Sequence, residues 1–408
     1  MQKKWWGNIL QLAKKTDWMF AVLVGGGILL AVIVRVLSLN VVSGDSYYFT
    51  MPWFRHIHEA ANFGVFRENF YNYTPLYLYI FYAVDWVQKL FGVSIYELYL
   101  IKSISIIFDI LLAGIIGAWV KTYRPERALW AFFIVLFSPS IFINSGFWGQ
   151  ADVIYTTFLV LSVFAIIRGK LFWSGVWLGI AFALKVQALF LAPFFVLLWF
   201  LKHIKFRDLM WNTAMGVGIY LLSIVPALLA GRGFEDLITI ISQQANYYQN
   251  LVMGGLPNIY QWLPNSQYNY FSIIGLVFTA IFFFVLSLLE YTSKRVVSTL
   301  TILQTALLSL LASPFFLPKM HERYMFSAEV MSIVLALYAP KYWWVALVIN
   351  GCSFLGYFPF LFGITVILPS YLAFVVLAVI IYLVFEWYQG INRTRQTKPL
   401  HKNRKKTV

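Results

Sequence analysis

Apolar runs about as long as a membrane is thick recur along almost the whole chain, and no other feature of the sequence restricts the fold as much. A hydrocarbon slab of ~30 Å takes about 20 helical residues. Twelve segments qualify: 18–39, 98–120, 129–147, 151–167, 171–184, 187–201, 209–230, 271–290, 297–317, 325–339, 342–359 and 365–387. The expectation is an all-α integral membrane protein with about twelve transmembrane helices, within a range of ten to thirteen. Continuous runs exclude a β-barrel, whose strands alternate apolar and polar residues. A water-soluble core is excluded as well, because 61% of the residues are hydrophobic and only 12% charged, where a soluble domain carries about a quarter.

The net charge of +15 resembles a nucleic-acid signal, but Lys and Arg cluster in short loops and at the two ends. That is the pattern of membrane topology. The one cysteine, Cys352, lies in an apolar segment and offers neither a disulfide nor a metal site. The first run follows Lys3, Lys4, Lys14 and Lys15 and is long for a signal peptide, so it reads as an uncleaved first span.

One apolar segment is set aside, Pro75 to Phe91. With a cytoplasmic N-terminus, leaving it out of the membrane puts KTYRPER (121–127), RGK (168–170), KHIKFR (202–207), Lys294, Arg295, Lys341 and the basic tail all inside. That register places 22 of the 31 Lys and Arg inside, as the positive-inside rule favours. Asp85, Gln88 and Lys89 lie along one side of 75–91, which suits an interfacial or re-entrant helix. The chain then divides into a basic cytoplasmic N-terminus (1–17), one polytopic domain (18–389) and a basic cytoplasmic tail (390–408). Its external loops are 40–97, which is long and carries amphipathic pieces, 231–270, and 317–324. No internal repeat of the kind found in transporters is visible.

Charge near a membrane needs a reason. Asp45 stands in VVSGDSYYFTMPWFRHIHE (41–59), just past the first span. A carboxylate there can serve as general base for an acceptor hydroxyl, or it can cap the next helix. Arg55 in the same stretch, and Tyr73 and Pro75 in NYTPLYLY (72–79), are candidate acceptor or loop residues; the aromatic rings there also suit an interfacial belt. In GFWGQADVIY (146–155), Gln150 can bind a sugar hydroxyl and Asp152 either joins the site or caps a helix.

The apolar stretch 171–201 is too long for one span, at ~46 Å as a single helix. A helical hairpin with Lys185 at its outer turn resolves this and leaves an ammonium where it suits a phosphate; Gln187 adds a second polar group. The alternative is a snorkelling lysine. LPKMHERYMF (317–326) supplies Lys319, His321, Glu322 and Arg323 between two spans. Arg323 can hold phosphate oxygens bidentately and His321 can donate a hydrogen bond, or the loop holds only a Glu–Arg pair. HExxH is absent, so the cluster is not that zinc motif. Asp109 lies mid-span, with a helix partner and a place at the site both open.

Cations and one acid on the outer side suit transfer from a lipid-phosphate donor. Neither a P-loop nor a dinucleotide fingerprint is present. Taken in order, the Gly44–Asp45 pair, YTPLYLY, FWGQAD, LKVQA and LPKMHERY resemble the GT-C glycosyltransferase superfamily. The bacterial relatives of the GPI-anchor second mannosyltransferase and of the dolichyl-phosphate-glucose glucosyltransferases are the most similar. The resemblance implies a polytopic inverting transferase using a polyprenyl-phosphate sugar. It implies that Asp45 is the catalytic base and that Lys185, Gln187, His321 and Glu322 border the donor phosphate, with no cofactor. Thr74 departs from the family's Tyr-Pro-Pro-Leu pattern. A single Gly-Asp, without the paired acids of metal-dependent relatives, argues against a metal ion.

The resulting expectation is a cell-membrane enzyme with both termini cytoplasmic and its site extracytoplasmic. It would move mannose or glucose to an envelope glycan, lipid or protein acceptor. The rivals are a lipid-linked sugar flippase, which predicts mid-membrane polar groups and repeats, and a polysaccharide polymerase, which predicts an Arg-rich external loop.

Overall fold

The computed structural model describes residues 2–247, 249–291 and 297–396. Sixteen α-helices follow in order. They are α1 (Gln2–Leu37), α2 (Met51–Ala60), α3 (Pro75–Leu90), α4 (Glu97–Lys121), α5 (Ala128–Leu136), α6 (Pro139–Phe142), α7 (Asp152–Ile167) and α8 (Leu171–Leu184). Then come α9 (Ala192–Phe200), α10 (Phe206–Leu229), α11 (Phe234–Asn246), α12 (Tyr268–Tyr291), α13 (Thr299–Phe316), α14 (Phe326–Tyr338), α15 (Trp343–Phe362) and α16 (Pro369–Gln396). Among the described residues no strand forms; Val252 and Met320 make one isolated bridge. The chain is an all-α, multi-pass membrane protein.

Among the described residues six helices are long and apolar enough to cross a membrane, and five more apolar helices are shorter. The expectation of about twelve spans is thus met only in its coarser form. The segment expected as a single span at 129–147 is bent by 47° between its two halves. Its cause is local: Pro139 pushes Ser138 out of the helical region, to ψ 121°. The stretch 171–201 divides at Lys185, which is extended at φ −158°. The expected hairpin does not form as a packed pair: α8 packs between α7 and α10, whereas α9 packs against α12 and α13.

Segment 75–91 is a helix of 16 residues. Its polar side, Asp85 and Gln88, is buried against the rest of the first loop, while Trp86, Val87, Leu90 and Phe91 are exposed. Asp85 accepts from Gln88 and pairs with Lys89 and with His58 on α2, which clamps α2 to α3.

The loops 40–97, 231–270 and 317–324 meet at one end of the bundle. Arg232 donates to Asn69 at 2.6 Å and lies over the Tyr71 ring. Lys319 N–H donates to Leu251 and Met253 N–H to Met320. Deep in the bundle Arg35 donates to Asp109 at 2.8 Å, and Ser145 donates to the same carboxylate oxygen. Asp109 therefore has a helix partner, one that satisfies a buried charge. Lys294, Arg295 and residues 397–408 of the basic tail lie outside the described residues.

Candidate active site

Asp45 follows the end of α1 and opens a wide helical turn over Ser46–Thr50. It occupies the N-cap position without capping anything. Ser43 performs that task by accepting from the Ser46 N–H. The Ser43 and Ser46 hydroxyls both donate to the Trp148 carbonyl, at 2.8 and 3.0 Å. This stitches the Asp45 turn to the segment before α7. Gly149 makes that approach feasible: its φ is +75°, and a Cβ there would stand 3.2 Å from Lys102 and 3.3 Å from Ser46.

Three donors then converge on one oxygen of Asp45. Oδ2 accepts from Trp148 Nε1 at 2.9 Å, Gln150 Nε2 at 2.7 Å and Arg323 at 3.0 Å. Among the described residues Oδ1 accepts no hydrogen bond. The side chain keeps 17% of its exposure and lines a small cavity with Tyr73, Gln150, His321, Arg323 and Tyr324.

A second acid stands behind the first. Asp152 is the first residue of α7 and fully buried. It accepts from Lys185 at 2.5 Å and from Asn144 at 3.0 Å. Arg323 Nε stands 3.9 Å from its Oδ2. The guanidinium thus lies between two carboxylates. Burial opposes its charge, but Asp45, with Tyr73, Tyr324 and Asp152, outweighs that and holds Arg323 ionised. Lys185 reaches this point because the backbone is extended there, and Thr74 donates to the Leu184 carbonyl at 2.8 Å. The ammonium sits near the Tyr73 and Tyr155 rings, at 5.5 and 5.8 Å.

Unsatisfied polar atoms gather here. Gln187 Oε1, Arg323 Nε and Glu322 Oε1 are buried without a hydrogen-bond partner, a state that costs free energy unless a ligand or water supplies one. His321 lies beside the Tyr324 ring. Burial, then Arg323 and Lys185, push its pKa well below the usual imidazole value, so it stays neutral. Burial raises Glu322 to about 7, with Arg323 opposing; its carboxylate is wedged against Gly254, where a Cβ would stand 2.6 Å from Oε2.

The cavity is about 60 Å³. Gln244, His321 and Tyr324 also border a groove of about 750 Å³. Its walls are mainly apolar, with Leu189, Phe190, Ile241, Ile273 and Leu276 among them, and Gln187 and Lys319 on its lining.

The structure brings Asp45, Gln150, Asp152, Lys185, Arg323 and Tyr73 into one cluster, with Gln187 and His321 at the adjoining groove. Pro75 starts α3 next to it. Arg55 does not join: it is exposed on α2, pairs with Glu97 at 2.5 Å and lines neither space. Sequence reasoning did not single out Trp148, Asn144 or Lys102. Lys102 is fully buried in α4 and donates to the Ser38 and Val41 carbonyls at 2.8 and 2.7 Å, under the turn that carries Asp45. Its signal was a lysine within an apolar span.

The family model of glycosyltransferase family 87 matches residues 70–314, more than half of the chain. The match includes Tyr73, Gln150, Asp152, Lys185 and Gln187, and excludes Asp45 and the 317–324 loop. No curated protein sequence matches the chain.

Proposed function

Given that the chain belongs to glycosyltransferase family 87, we propose that it moves a hexose, mannose or glucose, from a polyprenyl-phosphate sugar to an acceptor hydroxyl on the extracytoplasmic face. The acceptor class is an envelope glycan, lipid or protein. One observation carries this reading. The oxygen Oδ1 of Asp45 is left without a donor while three groups anchor Oδ2, and the cavity before it joins an apolar groove.

The chemistry follows from those positions. The groove takes the polyprenyl chain, since burying apolar surface yields about 25 cal/mol per Å². Lys185 uses one of its three donors on Asp152, and Arg323 Nε has no hydrogen-bond partner. Both remain able to bind phosphate oxygens, and both stabilise the charge that develops as the sugar–phosphate bond breaks. Asp45 Oδ1 accepts the proton of the acceptor hydroxyl as its oxygen attacks the anomeric carbon from the side opposite the leaving phosphate. A single displacement of that kind inverts the anomeric centre. Lys185 and Arg323 are themselves the cations of the site, and the proposed reaction runs without a metal ion.

The test is transfer by the purified protein in lipid, offered polyprenyl-phosphate sugars and a crude envelope acceptor. Sugar transfer from one of them, lost in Asp45→Asn, supports the reading. Movement of the lipid-linked sugar across the bilayer with no transfer overturns it in favour of a flippase.

A further inference from the structure

At the far end of α7 from Asp152, about 24 Å along the helix at 1.5 Å per residue, the structure holds a crevice that the catalytic reading does not use. It is about 360 Å³ and runs between α4, α7 and α8. Its floor is Trp119, stacked on Phe164 at 4.4 Å, and Trp173 and Trp177 stack along one wall at 5.9 Å. Arg168 and Lys170 stand at its mouth.

The turn between α7 and α8 explains why these two cations are available. Lys170 N–H donates to the Ala165 carbonyl and Gly169 N–H to that of Ile166, with Gly169 at φ +67°. This is a Schellman closure, and it satisfies the last carbonyls of α7 with backbone alone. The Arg168 and Lys170 side chains are exposed and, among the described residues, take part in no ion pair or hydrogen bond. Lys170 is also the N-cap of α8, so the unpaired N–H groups of that helix start beside it. The neighbouring turn adds Lys121 and Arg124 to the same end of α4. Basic pockets between membrane helices select anionic head groups, and tryptophans favour the level of the membrane interface.

We propose that this crevice is a binding site for one anionic phospholipid, with its phosphate on Arg168 and Lys170 and an acyl chain against Trp119, Trp173 and Trp177. The positive mouth argues for an anionic head group over a zwitterionic one, and the apolar interior argues for a lipid over a free anion. The site is independent of the sugar-transfer reading.

The test uses the full chain in nanodiscs of phosphatidylcholine doped with brominated phosphatidylglycerol or brominated phosphatidylcholine, read by quenching of tryptophan fluorescence and by lipid retained in native mass spectrometry. Phosphatidylglycerol should be preferred by about thirtyfold, the factor that two juxtamembrane cations supply together. Arg168→Gln with Lys170→Gln should abolish the preference, and Arg168→Lys with Lys170→Arg should keep it. Equal retention of the two lipids overturns the proposal, as does an unchanged preference in the double glutamine variant. Inorganic phosphate that competes as well as the lipid also overturns it, because the chain contact then contributes nothing.

Discussion

Arg323 donates to Asp45 at 3.0 Å across 278 residues of sequence, and its Nε lies 3.9 Å from Asp152. One guanidinium therefore ties the loop after α1, the start of α7 and the loop after α13 into a single charged unit. In that unit two cations, Lys185 and Arg323, face two carboxylates. Any anionic ligand must share the cations with acids already present.

Asp45→Asn keeps the shape of the side chain and an oxygen for the three donors, so the fold should hold. If Asp45 is the base, kcat for sugar transfer should fall by about 10²–10⁴ with donor KM little changed and an unchanged thermal midpoint. Transfer at the wild-type rate would reject the assignment.

Lys185→Met separates structure from binding. Alone it takes the nearer cation from the buried Asp152 carboxylate, leaving Asn144 and the more distant Arg323, and removing one partner of a buried pair costs up to about 3–5 kcal/mol. The double variant Lys185→Met, Asp152→Asn removes that charge and should recover most of the lost stability. Donor KM should stay raised in both variants. Recovery of donor KM together with stability would show that Lys185 is a structural counterion only.

Glu322 gives a pH signature. Its folded pKa is raised from 4.5 to about 7, so the folded state holds a proton that the unfolded state has lost over that interval. Stability is then fully present below about 4.5 and declines as pH rises to about 7. Glu322→Gln should flatten this slope in thermal unfolding followed from pH 5 to pH 8. A slope that persists in the variant would place the titration elsewhere.

Treatment with EDTA should leave transfer unchanged within a factor of about two if Lys185 and Arg323 are the site's cations. Loss of activity on chelation, restored by a divalent ion, would require a metal.

A tag inserted between Gln88 and Gly92 should react with an impermeant reagent applied from outside, because α3 is read as lying along the outer surface. Protection of that tag, with residues 121–127 accessible instead, would reverse the topology.

Most of this arrangement was visible in the sequence because charge is costly in an apolar setting. Asp45, Lys185 and Arg323 stand out against the apolar runs around them. The interruption at Lys185 follows from the length of 171–201 and the polar residues at its middle, whereas the bend before Pro139 was missed, because 129–147 is apolar throughout and reads as one span. What stayed hidden depends on contacts between distant segments. Trp148 is one of 16 tryptophans, and only folding shows that its indole N–H serves Asp45. Gln150 reads as a sugar ligand in isolation, but its amide is held by the acid beside it. Arg55 carries the right charge in the right loop, yet Glu97 claims it. Lys102 resembles a snorkelling residue until the carbonyls of Ser38 and Val41 are found around it.

The narrowness of the space before Asp45, about 60 Å³, bears on fidelity. Water and an alcohol are chemically similar nucleophiles, and a base that activates one activates the other. Solvent is present at enormous excess, so selectivity between them cannot rest on reactivity. It rests on admission. In so narrow a chamber, an acceptor that wedges it open brings its own hydroxyl to the base and displaces the solvent. In the proposed reaction, such exclusion of solvent protects the donor from hydrolysis and preserves it for synthesis.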